Sequence, residues 1–85
     1  MSSYNLGQYQ SALNYYQQAL VIHRGVGNRA MEGNTLHCIG WVHHARGRYD
    51  QALENYQRAL VITREVGDRE GEEAILANIE SLSDN

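Results

Sequence analysis

Proline, phenylalanine and lysine are missing from this chain, and cysteine occurs once. Without proline, nothing breaks a helix by fixing φ or removing a backbone donor. Alanine, leucine, glutamine and glutamate are common, so the composition favours helix throughout. The one cysteine, Cys38, cannot close an internal disulfide. It reads as a small apolar side chain in a reducing compartment, which makes the cytoplasm the expected location. No apolar run approaches the roughly 20 residues needed to span a membrane. No basic segment followed by an apolar stretch marks a signal peptide. The formal net charge of −3, with acids and bases mixed, is too small and of the wrong sign for a nucleic-acid surface. The 85 residues allow one small domain with a thin core.

What the chain does contain is a repeat. The segment running from Gly7 through Tyr9, Ala12, Leu13, Tyr16, Ala19 and Leu20 to Ile22 returns from Gly47 through Tyr49, Ala52, Leu53, Tyr56, Ala59 and Leu60 to Ile62. The offset is about 40 residues, within the range of stacked helical arrays. The match continues downstream, with Val26-Gly27 pairing with Val66-Gly67, Arg29 with Arg69, Glu32 with Glu72, Leu36 with Leu76 and Ile39 with Ile79. A unit of this size cannot bury its apolar face alone and has to stack on a neighbour.

Apolar residues inside each copy recur at steps of three and four, the helical period. Leu36, Ile39, Gly40, Val42 and His43 form a second kind of stripe, in which small residues let another helix come close. Glycine and short polar residues mark the breaks. Gly7 and Gly47 are expected to make tight turns. Gly27-Asn28 and Gly67-Asp68 read as a C-cap glycine followed by an N-cap residue. Asp50, and more weakly Ser11, are expected at helix starts, and Glu70, Glu72 and Glu73 suit the positive end of the last helix dipole. The fold class is therefore all-α, antiparallel helix-turn-helix repeats, with four helices at about 8–26, 29–46, 49–66 and 69–82. Residues 1–6 are expected to form a stub, and 83–85 to fray.

These residues resemble the tetratricopeptide repeat family. Leu36, Ile39-Gly40, His43, Gly47, Ala52, Tyr56 and Ala59 stand at that family's spacing, with His43 where an aromatic is usual and Arg64 where a proline often closes the unit. The period exceeds the common 34 residues and is similar to that of an extended subgroup of the family. The resemblance implies a single repeat domain over 1–85: a half-repeat at about 1–27, a full repeat at about 28–67 and a half-repeat at about 68–85. That phase implies a slice of a longer array. Glu80, where the previous copy has Gly40, suits the polar outer face of an end helix.

In the family the first helix of each pair lines a concave groove. The resemblance thus implies groove positions at Asn34, His37, Cys38, Trp41, His44 and Ala45, and at Ala74, Ala77, Asn78 and Ser81. Trp41 stands open between two roles, an anchor for a partner and a core residue packed on the next helix. Asn34 and Asn78 could bond an extended peptide backbone or stay solvated. Without lysine, the grip on a C-terminal carboxylate found in some members is not expected.

His37, Cys38, His43 and His44 are the nearest thing to a metal cluster, but no two of them have the i,i+3 or i,i+4 spacing that puts helical ligands on one face. No metal and no cofactor is expected. No nucleophile–base pair or phosphate loop stands out, so enzymatic activity is not expected either.

The reading is a protein–protein interaction module that offers a groove to a partner peptide or helix. The alternative is self-association into a homo-oligomer through open helix ends, with outward faces at Tyr15, Val21 and Ile22 on the first helix and at Ile75 and Leu82 on the last. A domain-swapped dimer formed by straightening Arg46-Gly47-Arg48 is one form of it. Neither a nucleic acid nor a membrane is expected as a partner.

Overall fold

A computed structural model of the chain describes residues 2–83, and side chains over 8–82. Four helices follow one another: α1 (Ser2–Gly25), α2 (Arg29–Ala45), α3 (Tyr49–Val66) and α4 (Arg69–Ser83). The three turns between them are built alike. Gly27, Gly47 and Gly67 each take positive φ, at 71°, 78° and 75°, which a residue without Cβ adopts freely. The next residue then donates its backbone N–H back across the helix end: Asn28 to His23 O at 2.9 Å, Arg48 to His43 O at 2.8 Å and Asp68 to Thr63 O at 2.8 Å. This is the Schellman closure, which satisfies carbonyls that a helix end leaves free.

Two of the turns also cap the helix that follows. The Asn28 side-chain oxygen accepts from the Met31 N–H at 3.3 Å, and an Asp68 carboxylate oxygen accepts from the Gly71 N–H at 3.0 Å. α3 has no side-chain cap, because Arg48 occupies that position. Asp50 supplies negative charge in its first turn instead.

α2 lies between α1 and α3, and α3 between α2 and α4. α2 also touches α4, whereas α1 and α3 are not in contact among the described residues. Leu36 of α2 packs in one cluster with Ala52, Tyr56, Ala59, Ile62 and Ile75. On its other side Ile39 and Val42 meet Leu13, with Tyr9, Ala12 and Tyr16 packed around them. Small residues set the approach of α2 to α3. A Cβ at Gly40 would lie 2.6 Å from the Tyr56 ring, and one at Gly33 would lie 2.9 Å from Ile62 Cγ2. Of the second stripe read from the sequence, Leu36 and Gly40 make this contact, whereas Ile39 and Val42 face α1.

The repeat extends to charge. Arg24 Nε reaches Glu32 at 3.0 Å, and 40 residues on Arg64 Nε reaches Glu72 at 2.9 Å. Arg29 ties the first pair to α3, bonding Glu32 at 3.0 Å and Glu65 at 2.8 Å. Glu32 is buried. Burial pushes its carboxyl up, but the hydrogen bonds from Arg24 and Arg29 outweigh that and hold it below the ordinary carboxylate value.

The structure corrects several expectations. Gly7 makes no turn: α1 is helical from Ser2, so residues 2–6 are not a stub, and Ser11 lies inside the helix instead of capping it. Five residues are too few to repay the nucleation of a separate helix, whereas extending α1 adds a bond per residue and costs about 1 kcal/mol at the glycine. Ile75 does not face outward but is fully buried against α3, and Leu82 packs beside it. The outward apolar residue of α4 is Leu76. Its counterpart Leu36 is buried in the cluster with α3. Ser83 is the last residue of α4; Met1, Asp84 and Asn85 lie outside the described residues. No helix among the described residues is long and apolar enough to cross a membrane.

Candidate functional site

Asn34, His37, Trp41 and His44 follow one another along α2 at steps of three and four, which places them on one helix face. α4 runs beside that face. The amide of Asn78 spans the gap, its Nδ2 donating to His37 Nε2 at 2.7 Å. An imidazole nitrogen that accepts must be unprotonated, so the ring is neutral with its proton on Nδ1. Burial acts in the same direction and holds the His37 imidazole below its ordinary value. The bond links α2 to α4 across this face.

Tyr56 of α3 lies beneath. Its ring meets His37 edge-on at 5.8 Å and His44 at 6.4 Å between centroids, and its hydroxyl stands 3.5 Å from His44 Nδ1, a long contact. His44 also meets Tyr49 edge-on at 5.7 Å. The side of Tyr56 is therefore frame, while its phenol end supports the two histidines. Burial pushes that phenol above its ordinary value. The sequence reading assigned Tyr56 to the frame alone. The available signal was the use of tyrosine where the apolar frame needs no hydroxyl, since a buried phenol looks for a partner.

The remaining positions divide. Trp41 is 55% exposed, so the indole is not a core residue. Asn34 is exposed and donates weakly to Met31 Sδ at 3.8 Å. Ala45, Ala74, Ala77 and Ser81 are exposed. Cys38 is a free, half-buried thiol at the α1 edge of α2, where it lies against Tyr16; together with burial it pushes the Tyr16 phenol up. It therefore stands apart from the His37–Asn78 contact. His43 is half-buried, and its Nδ1 is buried without a hydrogen-bond partner. Burial, helped by the positive charges of Arg48 and Arg46, pushes its imidazole down.

The face thus consists of amides, imidazoles, an indole and small residues, with no Asp, Glu or Arg at any of these positions. It is suited to amide and apolar groups and offers no fixed charge to an ionic ligand. No group of three or more His, Cys, Asp or Glu that could hold a metal ion occurs among the described residues.

A family model described as tetratricopeptide repeat matches residues 2–79. Comparison with curated proteins and with solved structures returns no match.

Proposed function

The chain belongs to the tetratricopeptide repeat family, and from that membership we propose that it holds a segment of a partner protein, a peptide or a helix, against the face shared by α2 and α4. Domains of this family generally mediate protein–protein interaction and are typically non-enzymatic scaffolds. The groove reading is supported by the helix contacts. α2 and α4 touch while α1 and α3 do not, so the layer bends toward the α2 and α4 side.

The observation that carries the reading is Trp41, more than half exposed on α2 and on the helix face whose next turn bonds Asn78. An exposed indole on a rigid helix offers a large contact area at small entropic cost, the character of an interface anchor. The carbonyl oxygen of Asn78 and the amide of Asn34 then supply bonds for a partner backbone. A reducing compartment, the cytoplasm, suits the free thiol of Cys38.

The test is selection of binding peptides by display on the full chain, followed by titration of each with Trp41→Ala and Asn78→Ala. The expected result is a blue shift of Trp41 emission and a loss of affinity of about tenfold or more with Trp41→Ala. Selected peptides whose affinity is indifferent to both substitutions would overturn the assignment of this face.

A further inference from the structure

The ion pairs of α2 lie away from the face it shares with α4. Asn34 stands two positions from both Glu32 and Leu36, so those two residues point to another side of the helix. On that side α1 and α3 are not in contact among the described residues. Between them lies an open cleft of about 420 Å³. Arg24 of α1, Arg29 and Glu32 of α2 and Arg58 of α3 stand around it. Leu36, Val61 and Ile62 give it an apolar floor. Leu36 and Ile62 are buried and Val61 is exposed, so Val61 offers the apolar surface that an entering group can cover.

The bonds made at this cleft leave donors over. Glu32 accepts from Arg24 Nε at 3.0 Å and from Arg29 Nη1 at 3.0 Å, and Glu65 accepts from Arg29 Nη2 at 2.8 Å. Arg24 commits its Nε alone, and its Nη groups make no bond among the described residues. Arg58 makes no hydrogen bond and no ion pair among them, not even with Glu54 one turn before it. Nor does the repeated frame require this guanidinium, since the equivalent residue of α1 is Gln18. Three guanidiniums stand against two carboxylates, which leaves one positive charge in excess in a chain whose formal net charge is −3.

We propose that this cleft binds an acidic segment of a partner protein. One Asp or Glu carboxylate is held by Arg58 and the free Nη groups of Arg24, and an adjacent aliphatic side chain lies on Val61. The planar fork of a guanidinium matches the two oxygens of a carboxylate. A single negative charge balances the excess. A phosphate brings about −1.5 to −2 and would leave negative charge facing Glu32 and Glu65. The volume lies at the small end of the roughly 300–1,000 Å³ of ligand pockets, which suits a short segment. The site is separate from the α2 and α4 face and stands whether or not that face binds a peptide.

The probe is N-acetyl-Leu-Glu-Leu-amide, titrated at low salt into the full 85-residue chain while ¹⁵N NMR follows the arginine Nε–H signals. The signals of Arg24 and Arg58 should shift saturably, with a dissociation constant in the low millimolar range or tighter. Replacing the glutamate of the probe by glutamine should weaken binding by about tenfold or more. Arg58→Gln should do the same, read at Arg24, and leave the melting temperature in place because Arg58 holds nothing in the fold. Arg58→Lys, which keeps the charge and loses the fork, should recover part of the affinity. Absence of a saturable shift overturns the proposal, as does binding indifferent to the probe's charge or to Arg58→Gln. Shifts as large at Arg46, Arg48 and Arg69 would mean unspecific attraction of an anion and overturn it too. Tighter binding of the same probe with phosphoserine in place of glutamate would mean a phosphate site, which also overturns it.

Discussion

Ile22 and Ile62 occupy the same position in two copies of one motif, and they differ in exposure from 62% to 4%. The difference is the presence of α2, whose Gly33 lies directly over Ile62. The same substitution therefore has different consequences at the two sites. Ile62→Ala removes buried methylenes and should lower stability by about 2–5 kcal/mol. Ile22→Ala removes atoms already in water and should stay within about 0.5 kcal/mol. Urea unfolding of the two variants compares them directly, and equal costs would mean that α1 is covered in solution.

The glycines of α2 give a second contrast. Gly40→Ala should destabilise by about 1–3 kcal/mol, because overpacking against Tyr56 outweighs the better helix propensity of alanine. The Ala52 carbonyl oxygen, 3.2 Å from the new Cβ, blocks the other way out. Gly25→Ala meets nothing within 4 Å and has ordinary helical backbone. It should instead stabilise, by about 0.4–1 kcal/mol, by restricting the unfolded chain. Thermal melts that show both variants shifting the same way would contradict this account of the α2–α3 contact.

Stability should fall in two stages as pH is lowered. His37 and His43 have folded pKa values pushed below 6.5 by burial. Between the folded and unfolded values the unfolded chain binds more protons, so stability rises with pH in that window. This contribution is complete above about 6.5 and is lost as pH falls from there through the folded values. Glu32 acts lower down. Its folded carboxyl lies below the ordinary 4.5, so its contribution is present above that value and is lost as pH falls through the folded pKa. Melting temperatures at half-unit steps from pH 7.5 to pH 3 should show both arms, and His37→Gln should flatten the upper one. A melting temperature constant from pH 7 to pH 5 would refute the upper arm.

The His37–Asn78 bond has its own signature. Asn78 donates to the unprotonated ring and so favours the neutral form. Asn78→Ala should raise the His37 titration midpoint, which the ring-proton NMR shift follows directly. A midpoint that stays put or moves down would mean that the amide does not hold the ring in this way.

Much of this was legible before the fold was known, and the reasons are local. Tyr49–Val66 emerges with the bounds read from its periodicity, and Asn28 and Asp68 cap as their chemistry and placement after glycine suggested. What failed depended on neighbours. Gly7 stands in the same motif as Gly47, yet it lies inside α1 and makes no turn. Ile75 was read as outward, but α3 covers it. Its counterpart Thr35 is buried as well, a hint available only once burial is known. The site was read as a row along α2 and α4. The hydrogen bond from Asn78, the phenol of Tyr56 beneath it and the position of Cys38 against Tyr16 required the helices to be placed.

The sequence by itself determined the helices, the three glycine turns and the repeat, because φ preference, capping and apolar period act over a few residues. It could not determine which copy of the motif is covered, because burial belongs to a pair of helices and not to either one. Tyr56 and Ile62 are buried, whereas Tyr16 is only partly buried and Ile22 is exposed, although the residues are the same. The glycine-notched α2 lies over Tyr56 and Ile62, and among the described residues no helix covers Ile22 in that way.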